Sequence, residues 1–95
     1  MKVSVIGGAG YVGLITALGS SSMGHDVISI DIDEKKVKNL NNNIPPIYEE
    51  SLDSLLKFCN LNNKISFTTD TVGAIQNSEL IIVSVGTPTK SNGEI

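Results

Sequence analysis

At 95 residues, 40% of them hydrophobic and 18% charged, with no low-complexity tract, the chain has room for one modest folded core and no more than one domain. The net charge is −3 and all seven basic residues are lysines with no basic stripe, which excludes nucleic acid as a partner. The single cysteine, Cys59, excludes an internal disulfide and a zinc cluster.

Residues 2–6 form a β-branched run that stops at Gly7, the pattern of a buried parallel strand. That run is too short for the apolar stretch of a signal peptide, and no later stretch approaches the length of a membrane span. The expectation is therefore a cytoplasmic protein without a membrane partner. After a glycine-rich turn, Tyr11, Leu14 or Ile15, and Leu18 recur at helical spacing up to about Ser22. Ala17 and Gly19 are small enough for close packing, and Gly24 is placed as a C-cap. Val27 to Ile30 make a second strand. Asp33 is placed to cap a helix starting at Glu34 that turns Val37 and Leu40 inward.

Asn41, Asn42 and Asn43 with Pro45 and Pro46 break that helix. The asparagine side chains compete for backbone hydrogen bonds, and proline has no N–H to donate. Leu52, Leu55, Leu56 and Cys59 share a helical stripe, Lys64 to Thr68 alternates as a strand, and Asp70 is expected to cap a short helix from Thr71 to Asn77. Leu80 to Val85 is the most apolar run, which predicts a central fourth strand ending at Gly86-Thr87-Pro88.

Alternating strands and helices imply a parallel α/β sheet with right-handed crossovers, in the doubly wound order 3-2-1-4 of a partial Rossmann-type fold. The switch point then falls between strands 1 and 4, where ligands bind above the carboxyl ends of the strands. Gly8-Ala9-Gly10-Tyr11-Val12-Gly13 fits G-x-G-x-x-G between a strand and a helix. On this spacing Gly8 permits the tight turn, Gly10 lets the backbone approach a pyrophosphate, and Gly13 lets the helix pack on the strand. The pyrophosphate would sit at the positive end of the helix dipole.

Asp31, 21 residues after Gly10, ends the second strand, where its carboxylate can accept from both hydroxyls of an adenine ribose and repel a 2′-phosphate. The chain holds no arginine to receive such a phosphate, so NAD is expected rather than NADP. Asp33 reads as a helix cap. Lys36 is placed either against the adenosine or in solvent, and Thr87 on the central or nicotinamide side of the cofactor. His25 lies at the wrong edge of the sheet for catalysis, and helix-dipole complementarity accounts for Glu49 and Glu50. No catalytic group and no metal cluster can be assembled from what remains.

Taken together, these segments closely resemble the amino-terminal domain of the UDP-glucose/GDP-mannose dehydrogenase family over essentially the whole chain. The resemblance rests on Gly10-Tyr11-Val12-Gly13-Leu14, Gly24-His25-Asp26-Val27, Asp31-Ile32-Asp33 with Lys36-Val37, Pro46-Ile47-Tyr48-Glu49, Thr68-Thr69-Asp70, and Val83 to Pro88 with Gly93. It implies NAD as cofactor, with contacts on Gly8, Gly10, Tyr11, Val12, Gly13, Asp31, Lys36 and Thr87. It further implies oxidation of a sugar C6 alcohol to a nucleotide-linked uronic acid, in two hydride transfers through a thiohemiacetal. The family's catalytic cysteine and substrate lysine lie far beyond residue 95, and Cys59 matches neither position. Residues 1–95 are thus expected to be the front part of an NAD-binding domain, with the substrate and catalytic domains elsewhere. Alone, the chain is expected to bind NAD weakly and turn over nothing; the nucleotide sugar, and any homo-oligomer, would belong to the full-length enzyme.

Two departures from the family pattern stand out. Gly7-Gly8-Ala9-Gly10 carries one residue more than the family's usual turn, and Glu50-Ser51 replaces its Pro-Gly. Read as Gly7, Gly10 and Gly13, the turn also fits the G-x-x-G-x-x-G spacing of extended short-chain dehydrogenases and nucleotide-sugar epimerases. Strand 4 speaks against that alternative. A non-catalytic NAD-binding module, regulatory or vestigial, is the remaining one.

Overall fold

Four short strands rich in valine and isoleucine form one parallel sheet: β1 (Lys2–Ile6), β2 (Asp26–Ile30), β3 (Ile65–Thr68) and β4 (Leu80–Val83). The computed structural model describes residues 1–46 and 49–84. The strand order is β3-β2-β1-β4, as the alternating pattern predicts. Val3 pairs with Val27 on one side and Leu80 on the other, and Val27 pairs with Ile65. The order in which strands are added reverses at β1, which puts the carboxyl ends of the parallel β1 and β4 side by side at the switch point.

Side chains alternate between the two faces of a strand. Val3, Val5, Val27, Ile65 and Phe67 share one face, and there they meet Leu14, Ala17 and Leu18 of α1 (Tyr11–Ser22), Val37 and Leu40 of α2 (Glu34–Asn41), and Leu52, Leu56 and Cys59 of α3 (Glu50–Leu61). The out-of-phase Ser4 faces the other way, where its hydroxyl reaches the Ala74 carbonyl and Ser78 beside α4 (Thr71–Gln76). One face of the sheet thus carries the core, and among the described residues a six-residue helix touches the other.

Polar side chains end the helices as expected, with some shifts of a residue. Asp33 accepts from the N–H groups of Lys35 and Lys36, and Asp70 accepts from that of Gly73. At the end of α1 the C-cap is Met23, and Gly24 follows it at φ +97°, with Gly24 N–H on the Ser21 carbonyl and His25 N–H on that of Ser20. This is a Schellman arrangement, so Gly24 serves one position beyond the cap instead of at it. Asn41 stays within α2, and its side-chain amide pairs with both backbone groups of Phe67 on the outer edge of β3. Asn43 provides the left-handed turn after the helix at φ +63°.

Three expectations are corrected. Tyr11 and Ile15 lie on the exposed side of α1, whose buried stripe is Gly13, Leu14, Ala17, Leu18 and Ser21. A Cβ built on Gly19 would meet nothing within 4 Å, whereas one at Gly13 would collide with the backbone of Gly7. The fourth strand, described as Leu80–Val83 with Val85 outside the described residues, lies at an edge of the described sheet, not in its centre; Leu80, Ile81 and Val83 are exposed there. Its apolar run encodes burial on both faces, and among the described residues only Ile82 packs against the core.

Candidate functional site

The glycine turn is shaped by what its backbone must do. Gly7 takes φ +83°, the conformation that favours glycine, so Gly7 rather than Gly8 makes the tight turn. Gly7 and Gly8 both donate to the Ile30 carbonyl, at 2.8 and 3.0 Å, a bulge-like step that absorbs one residue without breaking the register of β1 on β2. Gly8 needs its hydrogen for space, since a Cβ there would stand 2.9 Å from that of Ser29. Ser29 is buried, and its hydroxyl oxygen finds no hydrogen-bond partner among the described residues.

At Gly10 the geometry differs. It is the N-cap of α1, and a Cβ there would make only an ordinary 3.5 Å contact with the Gly7 carbonyl. Nothing in the fold demands glycine, so the open space above it is available to a ligand. No side chain caps the helix. Leu14 N–H closes the first helical bond on Gly10, and among the described residues the N–H groups of Tyr11, Val12 and Gly13 find no acceptor. Three adjacent donors at the positive end of a 12-residue helix form a cradle for an anion.

Asp31 stands beside this cradle. Its carboxylate accepts from Ala9 N–H at 3.2 Å and from Asp33 N–H at 3.0 Å, one bond on each oxygen. A carboxylate has about four acceptor positions, so each oxygen keeps one free to receive a hydroxyl. Between the carboxyl ends of β1 and β2 and the start of α4 lies a hollow of about 160 Å³ lined by Ile6, Gly7, Ile30, Asp31, Ile32 and Thr71. Its mostly apolar walls and single carboxylate suit a flat base attached to a diol. A larger hollow of about 220 Å³ opens at the opposite ends of the strands, near Lys2, Asp26 and Lys64. Ligands in doubly wound sheets bind at the carboxyl ends, so the smaller hollow is the better candidate.

Of the residues expected from sequence, the structure gathers Gly8, Gly10, Tyr11, Val12, Gly13 and Asp31 around one crevice. Lys36 is exposed in the first turn of α2 and lines no part of the 160 Å³ hollow. Thr87 lies outside the described residues. Asp33 caps, as expected, and His25 sits before β2 at the far end of the sheet. Glu49 does more than complement a dipole: its carboxylate accepts from Ser51 Oγ at 2.8 Å and, at 3.4 Å, from the hydroxyl of Tyr11. Cys59 is buried and donates to the Leu18 carbonyl at 3.5 Å, and burial holds its thiol above the ordinary pKa in spite of the hydrogen bond with Ser21. A thiol so placed is a core group and not a nucleophile.

Sequence reasoning missed Gly7, Ile32 and Thr71. The alternative glycine spacing held the signal for Gly7. Ile32 was recognisable as a bulky apolar residue between two aspartates, and it is 91% exposed at the mouth of the hollow. Thr71 carries no signal of its own, because it comes to the site only through the crossover from β3 to β4. Among the described residues no group of three potential metal ligands comes together, and no helix is long and apolar enough to cross a membrane.

Comparison with known proteins places these features in context. The model of the NAD-binding domain of the UDP-glucose/GDP-mannose dehydrogenase family matches residues 1–95. An uncharacterised protein of Methanocaldococcus jannaschii is 50% identical over 93 residues, which are 98% of this chain and 10% of that protein. The UDP-glucose 6-dehydrogenase of Rickettsia felis is 43% identical, over 99% of this chain and 21% of its own length. A crystal structure of a ternary complex of GDP-mannose dehydrogenase from Pseudomonas aeruginosa superposes with a TM-score of 0.90 at 37% identity, covering 99% of this chain and 21% of that one. The chain therefore spans about a fifth of the length of these two dehydrogenases.

Proposed function

The chain belongs to the UDP-glucose/GDP-mannose dehydrogenase family, as that family's NAD-binding domain, and from this premise we propose that it holds NAD across the crevice between the glycine turn and Asp31. In this reading the pyrophosphate rests on the N–H groups of Tyr11, Val12 and Gly13, over Gly10. The adenine ribose bonds to the free positions of the Asp31 carboxylate, and the base enters the hollow beside Ile32 and Thr71. The observation that carries it is the pairing of three acceptorless amides with a carboxylate already fixed by two others. The negative charge of Asp31, with no arginine in the chain, favours NAD over NADP. Lys36 and Thr87 are proposed as further contacts, on family resemblance alone.

Bound NAD supplies the electron acceptor for oxidation of an alcohol; the residues of this chain bind and orient it. The whole protein is proposed to oxidise the C6 alcohol of a UDP- or GDP-linked sugar to the uronic acid in the cytoplasm. Residues 1–95 would form the first part of its cofactor domain. The catalytic cysteine and lysine implied by the family have no counterpart in the described site, so the 95-residue chain alone is expected to bind cofactor without turnover. The extended short-chain dehydrogenase alternative gives way to the family match.

Titration of the isotope-labelled 95-residue chain with NAD, and in parallel with NADP, tests the reading by NMR. Shifts at Gly8 to Gly13, Asp31 and the residues of the hollow, larger with NAD, are expected. A folded chain that shows no shifts, or that prefers NADP, would overturn it.

A further inference from the structure

Each amide of the turn can be assigned. Gly7 and Gly8 donate to the Ile30 carbonyl, Gly10 to the Gly7 carbonyl at 3.2 Å, and Tyr11 to Gly13 remain for an anion. That leaves Ala9, between Gly8 and Gly10 of the turn. Ala9 is 1% exposed, and its N–H points at Asp31 Oδ2, 3.2 Å away. The opposite oxygen, Oδ1, is held by Asp33 N–H, which is itself fixed at the start of α2. The carboxylate is therefore gripped from two sides before any ligand arrives.

Building on the NAD reading above, we infer that Ala9 is a positioning residue: its amide latches the Asp31 carboxylate in the orientation that receives the ribose diol, and so couples the ribose site to the pyrophosphate turn. A carboxylate held by one amide alone can swing about its Cα–Cβ and Cβ–Cγ bonds, and binding must then stop that motion. Held by two, it presents its free acceptor positions without that cost, and it keeps its charge where a 2′-phosphate would sit. The turn thus supplies a donor for the ribose-binding group while leaving the three amides of the anion cradle untouched.

The latch is visible without cofactor. An amide proton bonded to a carboxylate moves upfield when the acid is protonated. In the labelled chain, the Ala9 proton should move upfield by several tenths of a ppm as Asp31 is titrated with acid, and Asp31→Asn should abolish the movement. For function, Ala9→Pro removes the donor and Ala9→Gly keeps it. Ala9→Pro is expected to bind NAD about tenfold more weakly than Ala9→Gly, with a smaller preference for NAD over NADP. Loss of stability alone would not change that preference. An Ala9 proton that ignores Asp31, or equal NAD affinity and equal preference in the two variants, would overturn the latch. A wild-type chain that bound no NAD would instead sink the cofactor reading, and the acid titration tells the two failures apart.

Discussion

A methyl group built on Gly13 would stand 2.9 Å from the carbonyl carbon of Gly7 and closer still to its oxygen, whereas one built on Gly10 would meet nothing nearer than 3.5 Å. The two glycines are thus kept for different reasons, and alanine separates them. Gly13→Ala must push helix from turn, at a cost of about 1–3 kcal/mol, and it should lower the melting temperature along with NAD affinity. Gly10→Ala should cost less than about 1 kcal/mol yet weaken NAD tenfold or more, because its methyl would occupy the approach of the pyrophosphate. Thermal melts and NAD titrations of both variants decide the matter; a Gly10→Ala chain that bound NAD normally would mean that the pyrophosphate lies elsewhere. Glycine spacing made the motif legible, but not the division of labour within it. Gly7 and Gly8 are adjacent and chemically identical; only the φ of Gly7 and the buried Ser29 beside Gly8 reveal which makes the turn and which yields space.

Strands were legible from their apolar runs, and a helix was most legible where two signals agree, a hydrophobic period and a capping residue. For α2 these are Val37 and Leu40 inside and Asp33 at the start. They differ in weight, which a urea titration can show: Asp33→Ala should cost about 1 kcal/mol, the usual loss of an N-cap. Leu56→Ala, in the fully buried centre of α3, should cost about 2–5 kcal/mol. A larger loss for Asp33→Ala would mean that the cap also holds in place the Asp33 N–H that bonds the Asp31 carboxylate. In α1 the period was ambiguous. Tyr11, Ile15 and Leu18 are spaced as well as Leu14, Leu18 and Ser21, and the choice between these neighbouring stripes depends on where the sheet lies, which the helix sequence does not record. Gly13 settles it, since the helix can press on the turn only along the side that lacks a Cβ.

The strand order followed from the alternation of strands and helices together with the doubly wound pattern that the glycine turn marks, with right-handed crossovers limiting the alternatives. What an apolar strand packs against is a different matter. Leu80 to Val83 has the composition of an interior strand, yet it bonds only to β1 within the described sheet and leaves Ile81 41% and Val83 63% exposed. Cooperative stability should accordingly be graded across the molecule. β1 is bonded on both sides and, with β2, backs onto the packed core, so their amides should exchange with solvent only through global unfolding. Those of β4 and of the six-residue α4 should exchange earlier, through local opening. Hydrogen exchange followed by NMR on the 95-residue chain measures both groups at once. Equal protection of β4 and β1 would mean that something covers the edge in solution. Repeating the measurement at a tenfold lower concentration would then separate a second copy of the chain, whose protection falls on dilution, from cover within the chain itself, whose protection does not.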